Sequence, residues 1–356
     1  MTVLAALALS LAVTQEVEPT LAERVGELAR RAIDDTPAVG LSVAVAVGDE
    51  MLVAEGYGLA EKEHGVAADA DTLFRIGSIT KQFTAAAVMR MVERGKIELD
   101  ADMRTYLPDF DTGEHTVTVR QLLTHTSGIP SYTSLGPEWE RTIPLELTHA
   151  ELMGLVEGKP FDFPSGSAFR YDNSGYYLLG MILEEVGGKP YAELVQTEFF
   201  GPLGLERSRY DSNVDLIPNR AQGYQTVEDA VANDGLIGMS QPGAAGALIS
   251  TAKELVLWQR ALVGGMVVGL DSYVEMTTPH TLADGSKTGY GFGLGIREQD
   301  GSTVISHGGG INGFNSILSY WVEEDLSIAV ISNCEGFPAT SLQEQIVKIL
   351  LPELRD

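Results

Sequence analysis

Apolar and polar positions follow two different periods along this chain, and the period changes twice. Leu21, Val25, Leu28, Ala29 and Ala32 recur at helical spacing, which predicts an amphipathic helix over residues 21–33. Residues 40–47 and 51–54 are short β-type runs separated by Gly48-Asp49-Glu50, a hairpin pattern. From about residue 78 to residue 220 the helical period dominates, with helices expected over 78–94, 119–123, 150–156, 176–186 and 191–200. Pro and Gly punctuate the joins, as in Thr126-Ser127-Gly128-Ile129-Pro130 and Pro164-Ser165-Gly166. Another helix is expected over 252–263. The tail then turns to strands over 290–296, 303–306, 314–322 and 326–333, before a closing helix over 339–351. Two of the strand joins are tight, at Gln299-Asp300-Gly301 and Glu323-Glu324-Asp325, so these strands are expected to run antiparallel.

A β-containing start and a β-rich end therefore flank a helical middle. The simplest assembly brings the two ends into one layer. The expected class is α/β (α+β): an antiparallel β-sheet flanked by helices, plus an all-helical lobe. One domain over 20–351 is expected, with its α/β part at 20–77 and 221–351 and its lobe at 78–220. A cleft would lie between the two parts.

Composition narrows the function. The chain has 356 residues, 44% hydrophobic and 21% charged, enough for a sizeable core. A net charge of -26 argues against nucleic acid and anionic membrane surfaces as partners; it reads as a solvated acidic surface. The single cysteine, Cys334, excludes an intrachain disulfide and reads as a small filler after a strand. No stretch after the amino-terminal region reaches the length of an apolar transmembrane helix, so no integral membrane segment is expected. Residues 3–13 are an uncharged apolar run, too short to span a bilayer but fitting the core of a signal peptide. Ser10 and Ala12 are small residues of the kind that precede a cut. Residues 1–14 are thus expected to be an export signal, and the protein periplasmic or secreted, although no basic side chain precedes the run.

Three local signals carry chemistry. The first is Ser78-Ile79-Thr80-Lys81, preceded by Gly77 and opening a long helical pattern. Serine and lysine three residues apart share one helix face. A serine hydroxyl needs a base to become a nucleophile, and a lysine of depressed pKa is one. Alone the motif is weak, since an N-cap serine explains it equally. A second copy, Ser250-Thr251-Ala252-Lys253, reads as a helix start, because Thr251 and Glu254 have capping-box spacing. The second signal is Tyr171-Asp172-Asn173. A tyrosine relays protons if cations lower its pKa, and an amide holds a carbonyl; a helix cap at Asn173 or Ser174 is the plain alternative. The third is Ser306-His307-Gly308-Gly309-Gly310, at the end of an expected strand. Its glycines let a substrate backbone lie close, and His307 is a candidate proton donor or positive charge. A glycine turn is the plain alternative.

Together the three are more specific than any one of them. In this order, S-x-x-K, Y-x-N and a strand ending in a cation-glycine pair resemble the serine penicillin-binding and class C β-lactamase family. Leu122-Leu123-Thr124-His125-Thr126-Ser127-Gly128 and Tyr290-Gly291-Phe292-Gly293 extend the likeness over roughly 21–351. The resemblance implies that Ser78 is the nucleophile, activated by Lys81, and that Tyr171 shuttles protons. It implies substrate contacts from Asn173, His307, Gly308 and Gly309, and an oxyanion hole from the backbone N–H groups of Ser78 and Gly310. His307 and Gly308 stand where the β-lactamases carry lysine and threonine. The substrate is then a small ester, a D-amino-acid peptide or a β-lactam, with esters or D-peptides ahead of efficient β-lactam hydrolysis. The rival reading is a sensor that stays acylated, or a binding module with a relic site. His125 lies in a turn-rich stretch and reads as structural. The remaining histidines lack metal-ligand spacing, so neither metal nor cofactor is expected.

The export reading has a direct check. N-terminal sequencing of protein from its native host should find a mature chain beginning near Val13; an intact Met1 on cytoplasmic protein would refute it.

Overall fold

The computed structural model describes residues 19–228 and 230–355; the expected export signal lies outside them. Twelve strands form three sheets among the described residues. The main sheet contains β1 (Gly40–Val47), β2 (Glu50–Glu61), β3 (Val66–Ala67), β9 (Gly295–Gln299), β10 (Ser302–Ile311), β11 (Phe314–Trp321) and β12 (Leu326–Ser332). Its order is β3-β2-β1-β12-β11-β10-β9, antiparallel throughout. Strands β4 (Phe74–Arg75), β5 (Arg209–Tyr210) and β8 (Leu248–Ser250) form a small second sheet, and β6 (Tyr224–Val227) pairs with β7 (Ala230–Asn233). The fold is the mixed α/β class with a large antiparallel sheet flanked by helices.

The sheet closes where the beginning and end of the chain meet, in the register Leu41↔Ser332 to Val47↔Leu326. Alternation sorts these strands onto two faces. Val43, Val45, Ile328 and Val330 join Val25, Ile346 and Leu350, from the helices Leu21–Asp35 and Ala339–Arg355. Ala44, Ala46, Ala329 and Ile331 join the larger core with Trp258 of the helix Ala252–Val263. The alanines on this second face let that helix approach closely.

The middle of the chain supplies the helices Thr80–Glu93, Val119–Leu123 and Ser174–Gly187. The first is buried on nearly every side, from Thr80 through Met89. The helix expected over 191–200 is a short α-helix, Tyr191–Val195, that widens into a π turn at Gln196–Phe200. At the second S-x-x-K, Thr251 caps its helix by accepting from Glu254 N at 3.0 Å. The Glu254 carboxylate does not reach back to close the box. It accepts from the backbone N–H groups of Arg207 and Ser208 instead.

Three strand expectations change. β2 runs well past residue 54, because Glu55, Gly56, Tyr57 and Gly58 continue the pairing with β1 opposite Val43, Ser42, Leu41 and Gly40. Residues 290–294 form a loop, although their apolar pattern suggested a strand. Phe292 N–H donates to Met276 O at 2.9 Å, and Gly293 sits at φ +69° over the Lys81 carbonyl. That run is apolar because it covers the central helix. The third change is β10, which does not end at residue 306 but passes through the glycines, pairing His307↔Leu318, Gly308↔Ile317, Gly309↔Ser316 and Gly310↔Asn315.

Gly309 is the glycine that this packing requires. A Cβ there would stand 2.0 Å from Ile76 O and 2.4 Å from Ser316 Oγ, whereas one on Gly310 would meet nothing within 4 Å. Gly309→Ala should therefore cost about 3 kcal/mol of stability through backbone overpacking, and Gly310→Ala far less. Urea denaturation of both variants checks this; equal midpoints would contradict the contact.

Candidate active site

Ser78 lies in a single 310 turn, Gly77–Ile79, that feeds the helix Thr80–Glu93. The turn rests on β10 and β11, where Ser316 Oγ donates to Ile76 O at 3.0 Å. Gly77 holds φ +50°, and its missing Cβ leaves room for Gly310 N, 2.9 Å from where that atom would be. Ser78 and the glycine strand are thus pressed together, with the Gly310 backbone on one side of a 260 Å³ cavity and Ser78 and Asn173 also lining it.

Lys81 is wholly buried. Its Nζ lies 3.1 Å from Ser78 Oγ, 2.8 Å from Asn173 Oδ1 and 2.9 Å from Ala245 O. The Tyr171 ring centroid is 4.8 Å away and that of Tyr176 5.5 Å. Asn173 immediately precedes the helix Ser174–Gly187, donates from Nδ2 to Thr133 Oγ1 at 3.1 Å, and is fixed through its backbone N–H to Ser131 Oγ. The structure therefore joins Ser78, Lys81 and Asn173 in one hydrogen-bonded group with the Tyr171 ring over Nζ and the His307 ring 6.0 Å from that of Tyr171; Ser78, Asn173 and Gly310 line the cavity, whereas Gly309 packs inward against Ile76 O. The amide oxygen of Asn173 is already spent on Lys81.

Electrostatics give each group a protonation state. Burial pushes Lys81 down to about 7, against the opposing charge of Asp172. The lysine is thus poised between its two forms at neutral pH. Tyr171 is 40% exposed as a residue, but enclosure of its phenol end drives its pKa well above the ordinary tyrosine value, with a contact to Ser78 pulling the other way. It is a protonated donor. The lowered tyrosine pKa that a relay base requires is not what this site provides. His307 is pushed down to about 3, first by burial and then by the Lys81 charge. Its Nδ1–H donates to Gly308 O at 2.6 Å and its Nε2 accepts from the Tyr290 hydroxyl at 2.9 Å. The imidazole is therefore neutral and offers no positive charge.

Several participants left no signal in the sequence. The Ala245 carbonyl belongs to a short helix, Gly243–Gly246, held when Thr84 Oγ1 donates to Ala244 O at 2.6 Å. Thr133, Trp139 and Glu335 line the cavity from segments with no motif. His125, read as structural, is fully buried with its ring centroid 4.3 Å from that of Tyr171.

The chemistry open to this arrangement follows from donor counting. A charged Lys81 has three N–H donors for its three neighbours. Once neutral it keeps two, which the oxygens of Asn173 and Ala245 hold because neither can donate. Its lone pair is left facing the Ser78 hydroxyl.

Known proteins resemble this chain in sequence and in structure. A sequence model described as Beta-lactamase matches residues 27–350. The chain belongs to the β-lactamase family. A D-aminopeptidase of Gluconobacter oxydans (strain 621H) is 30% identical over 298 residues, 83% of this chain and 56% of the relative. This chain thus spans little more than half the length of that relative. Esterase EstB of Burkholderia gladioli is 33% identical over 199 residues, 52% of this chain and 50% of the esterase. A D-amino acid amidase from Ochrobactrum anthropi SV3, solved with L-phenylalanine, superposes with a TM-score of 0.81 at 25% identity, over 94% of this chain and 99% of the amidase.

A base with a pKa of about 7 works only when deprotonated, so kcat/KM on an activated ester should climb with pH and level off above about 7. Lys81→Arg, which cannot lose its proton, should abolish this limb and lower the rate by several powers of ten. A pH–rate profile of both proteins on a nitrophenyl ester checks it; substantial activity in the arginine variant would refute the base.

Proposed function

We propose that this protein is a serine hydrolase that forms an acyl-enzyme on Ser78 and acts on esters and on amides of D-amino acids. The observation that carries the reading is the fully buried Lys81 amine, 3.1 Å from Ser78 Oγ and pinned by two carbonyl-type oxygens. Ser78 Oγ attacks the substrate carbonyl while its proton passes to Lys81. The oxyanion is received by the backbone N–H groups of Ser78 and Gly310. Tyr171, a protonated phenol against Ser78, gives a proton to the leaving alcohol or amine and regains one through Lys81. Water then attacks the acyl-enzyme with the same groups acting in reverse.

The substrate class follows from His307. A neutral imidazole, with both nitrogens engaged inside the protein, offers a substrate carboxylate no fixed charge, and Gly308 offers no hydroxyl. A charge-assisted hydrogen bond is typically of order 1.5–3 kcal/mol, so its loss weakens anchoring of carboxylate-bearing β-lactams. The names of the D-aminopeptidase, the esterase and the amidase support the same choice. We place the enzyme outside the cytoplasm on the strength of residues 3–13.

The test combines mass spectrometry with a substrate panel. A nitrophenyl ester should leave its acyl group on Ser78, and Ser78→Ala should abolish both adduct and turnover. The ester and D-alanine p-nitroanilide should exceed nitrocefin in kcat/KM, with the L-alanine analogue slower than the D. An adduct elsewhere would overturn the mechanism, and nitrocefin ahead by a hundredfold would overturn the substrate class. An adduct that persists without turnover would mark a sensor instead.

A further inference from the structure

Asp172 stands between Tyr171 and Asn173 and is only 4% exposed. Both of its carboxylate oxygens are committed. Oδ1 accepts from Gly175 N at 2.5 Å, in the first turn of the helix Ser174–Gly187. Oδ2 lies 3.2 Å from His125 Nδ1. His125 is itself fully buried at φ +57°, a conformation rare for residues other than glycine. Its backbone O accepts from Arg170 N at 3.0 Å, and its Nε2 has no hydrogen-bond partner. His125 Nδ1 also lies 3.2 Å from the Asp172 backbone N–H, so both polar contacts of the imidazole are with Asp172, one to its carboxylate and one to its backbone, and the carboxylate is held between this ring and Gly175 N.

The other titratable groups facing Lys81 carry no charge at neutral pH. Tyr171 and Tyr176 present ring faces to Nζ, and burial keeps both phenols protonated. Tyr290, which bonds His307, is held protonated in the same way. Burial and the Lys81 charge keep His125 and His307 neutral. Asp172 stands between two residues that touch Lys81 Nζ, Asn173 at 2.8 Å and the Tyr171 ring at 4.8 Å, and a negative charge held there favours the ammonium form.

We infer that Asp172 is a positioning residue of this site: its carboxylate, locked between His125 and the start of the helix Ser174–Gly187, is the counter-charge against which Lys81 exchanges its proton. It also fixes the backbone that aims Tyr171 and Asn173 from either side. A buried amine with no counter-charge would stay neutral and have no stable way to hold the serine proton. Asp172 stabilises the charged form that the acyl-transfer step creates. The inference rests on the hydrolase reading for its meaning but not for its measurement.

The experiment titrates Lys81 directly. Protein labelled with 13C at lysine Cε is followed by NMR against pH, with the Lys81 signal assigned by its loss in Lys81→Arg. The wild-type midpoint should lie near 7. In Asp172→Asn, and in Asp172→Ser, which keeps an oxygen near Gly175 N, it should fall by about one unit, because the neutral amine is favoured once the negative charge is gone. The low-pH limb of ester hydrolysis should shift the same way, while circular dichroism stays native. An unmoved Lys81 midpoint in either natively folded variant overturns the inference. If wild-type protein hydrolyses no ester yet the midpoint shifts, the hydrolase reading falls and the counter-charge stands.

Discussion

A single amine taken out of water governs this site. Lys81 is fully enclosed, and its three neighbours, Ser78 Oγ, Asn173 Oδ1 and Ala245 O, come from three separate segments. Burying an unpaired charge is costly, and a protein meets that cost by supplying hydrogen bonds or by giving up the proton. Here both outlets are present. The oxygens fit the ammonium, and burial leaves the proton only loosely held. The helix Thr80–Glu93, the start of the helix Ser174–Gly187 and the short helix Gly243–Gly246 must all stand in place for that balance to exist. Thr84 joins the last of these to the first through Ala244 O.

The sheet supplies the opposite wall by a steric route. Chain start and chain end meet at β1 and β12, which seats β11 and β10 beside them. Gly309 then lies so close to Ile76 O that only a glycine fits, and Ser316 ties the same carbonyl to β11. Ile76 immediately precedes the Gly77–Ile79 turn, so the position of the strand becomes the position of Ser78. The run of glycines therefore serves the backbone on its inner side. At Gly308 and Gly310, which are solvent-exposed, it leaves room on its outer side.

Legibility in the sequence tracked the range of the interaction. Ser78 and Lys81 are neighbours on one helical turn, and Thr251 marks a helix start by local capping; these could be read from a few residues. Strands β11 and β12 were equally plain, because their alternation is repeated by both faces of the core. The run 290–294 misled, since an apolar segment is consistent with a strand or with a loop laid over a helix, and only the Lys81 carbonyl beneath Gly293 decides. The strand continued through His307 to Gly310 because pairing with β11 overrides the low strand preference of glycine. Ala245 and Asp172 were invisible as participants for a different reason. One contributes only a backbone oxygen, and the other acts through charge on a residue far away in the chain.

The protonation pattern has its own logic. A small buried volume does not tolerate several charges of one sign, so ionising one basic group suppresses the rest. Lys81 carries the positive charge, and its field is among the causes that keep His125 and His307 neutral. His307 accordingly serves as a spacer of fixed tautomer, bridging Tyr290 and Gly308 O. The enclosed phenols of Tyr171 and Tyr176 are too weakly acidic to ionise there. Around neutral pH one proton is then free to move, and its places are Lys81 Nζ, Ser78 Oγ and the Tyr171 hydroxyl beside it. A site with one mobile proton and one base has little means of compensating for a displaced neighbour. The contacts that hold these neighbours accordingly come from enclosed side chains on backbone carbonyls, such as Ser316 Oγ on Ile76 O and Thr84 Oγ1 on Ala244 O.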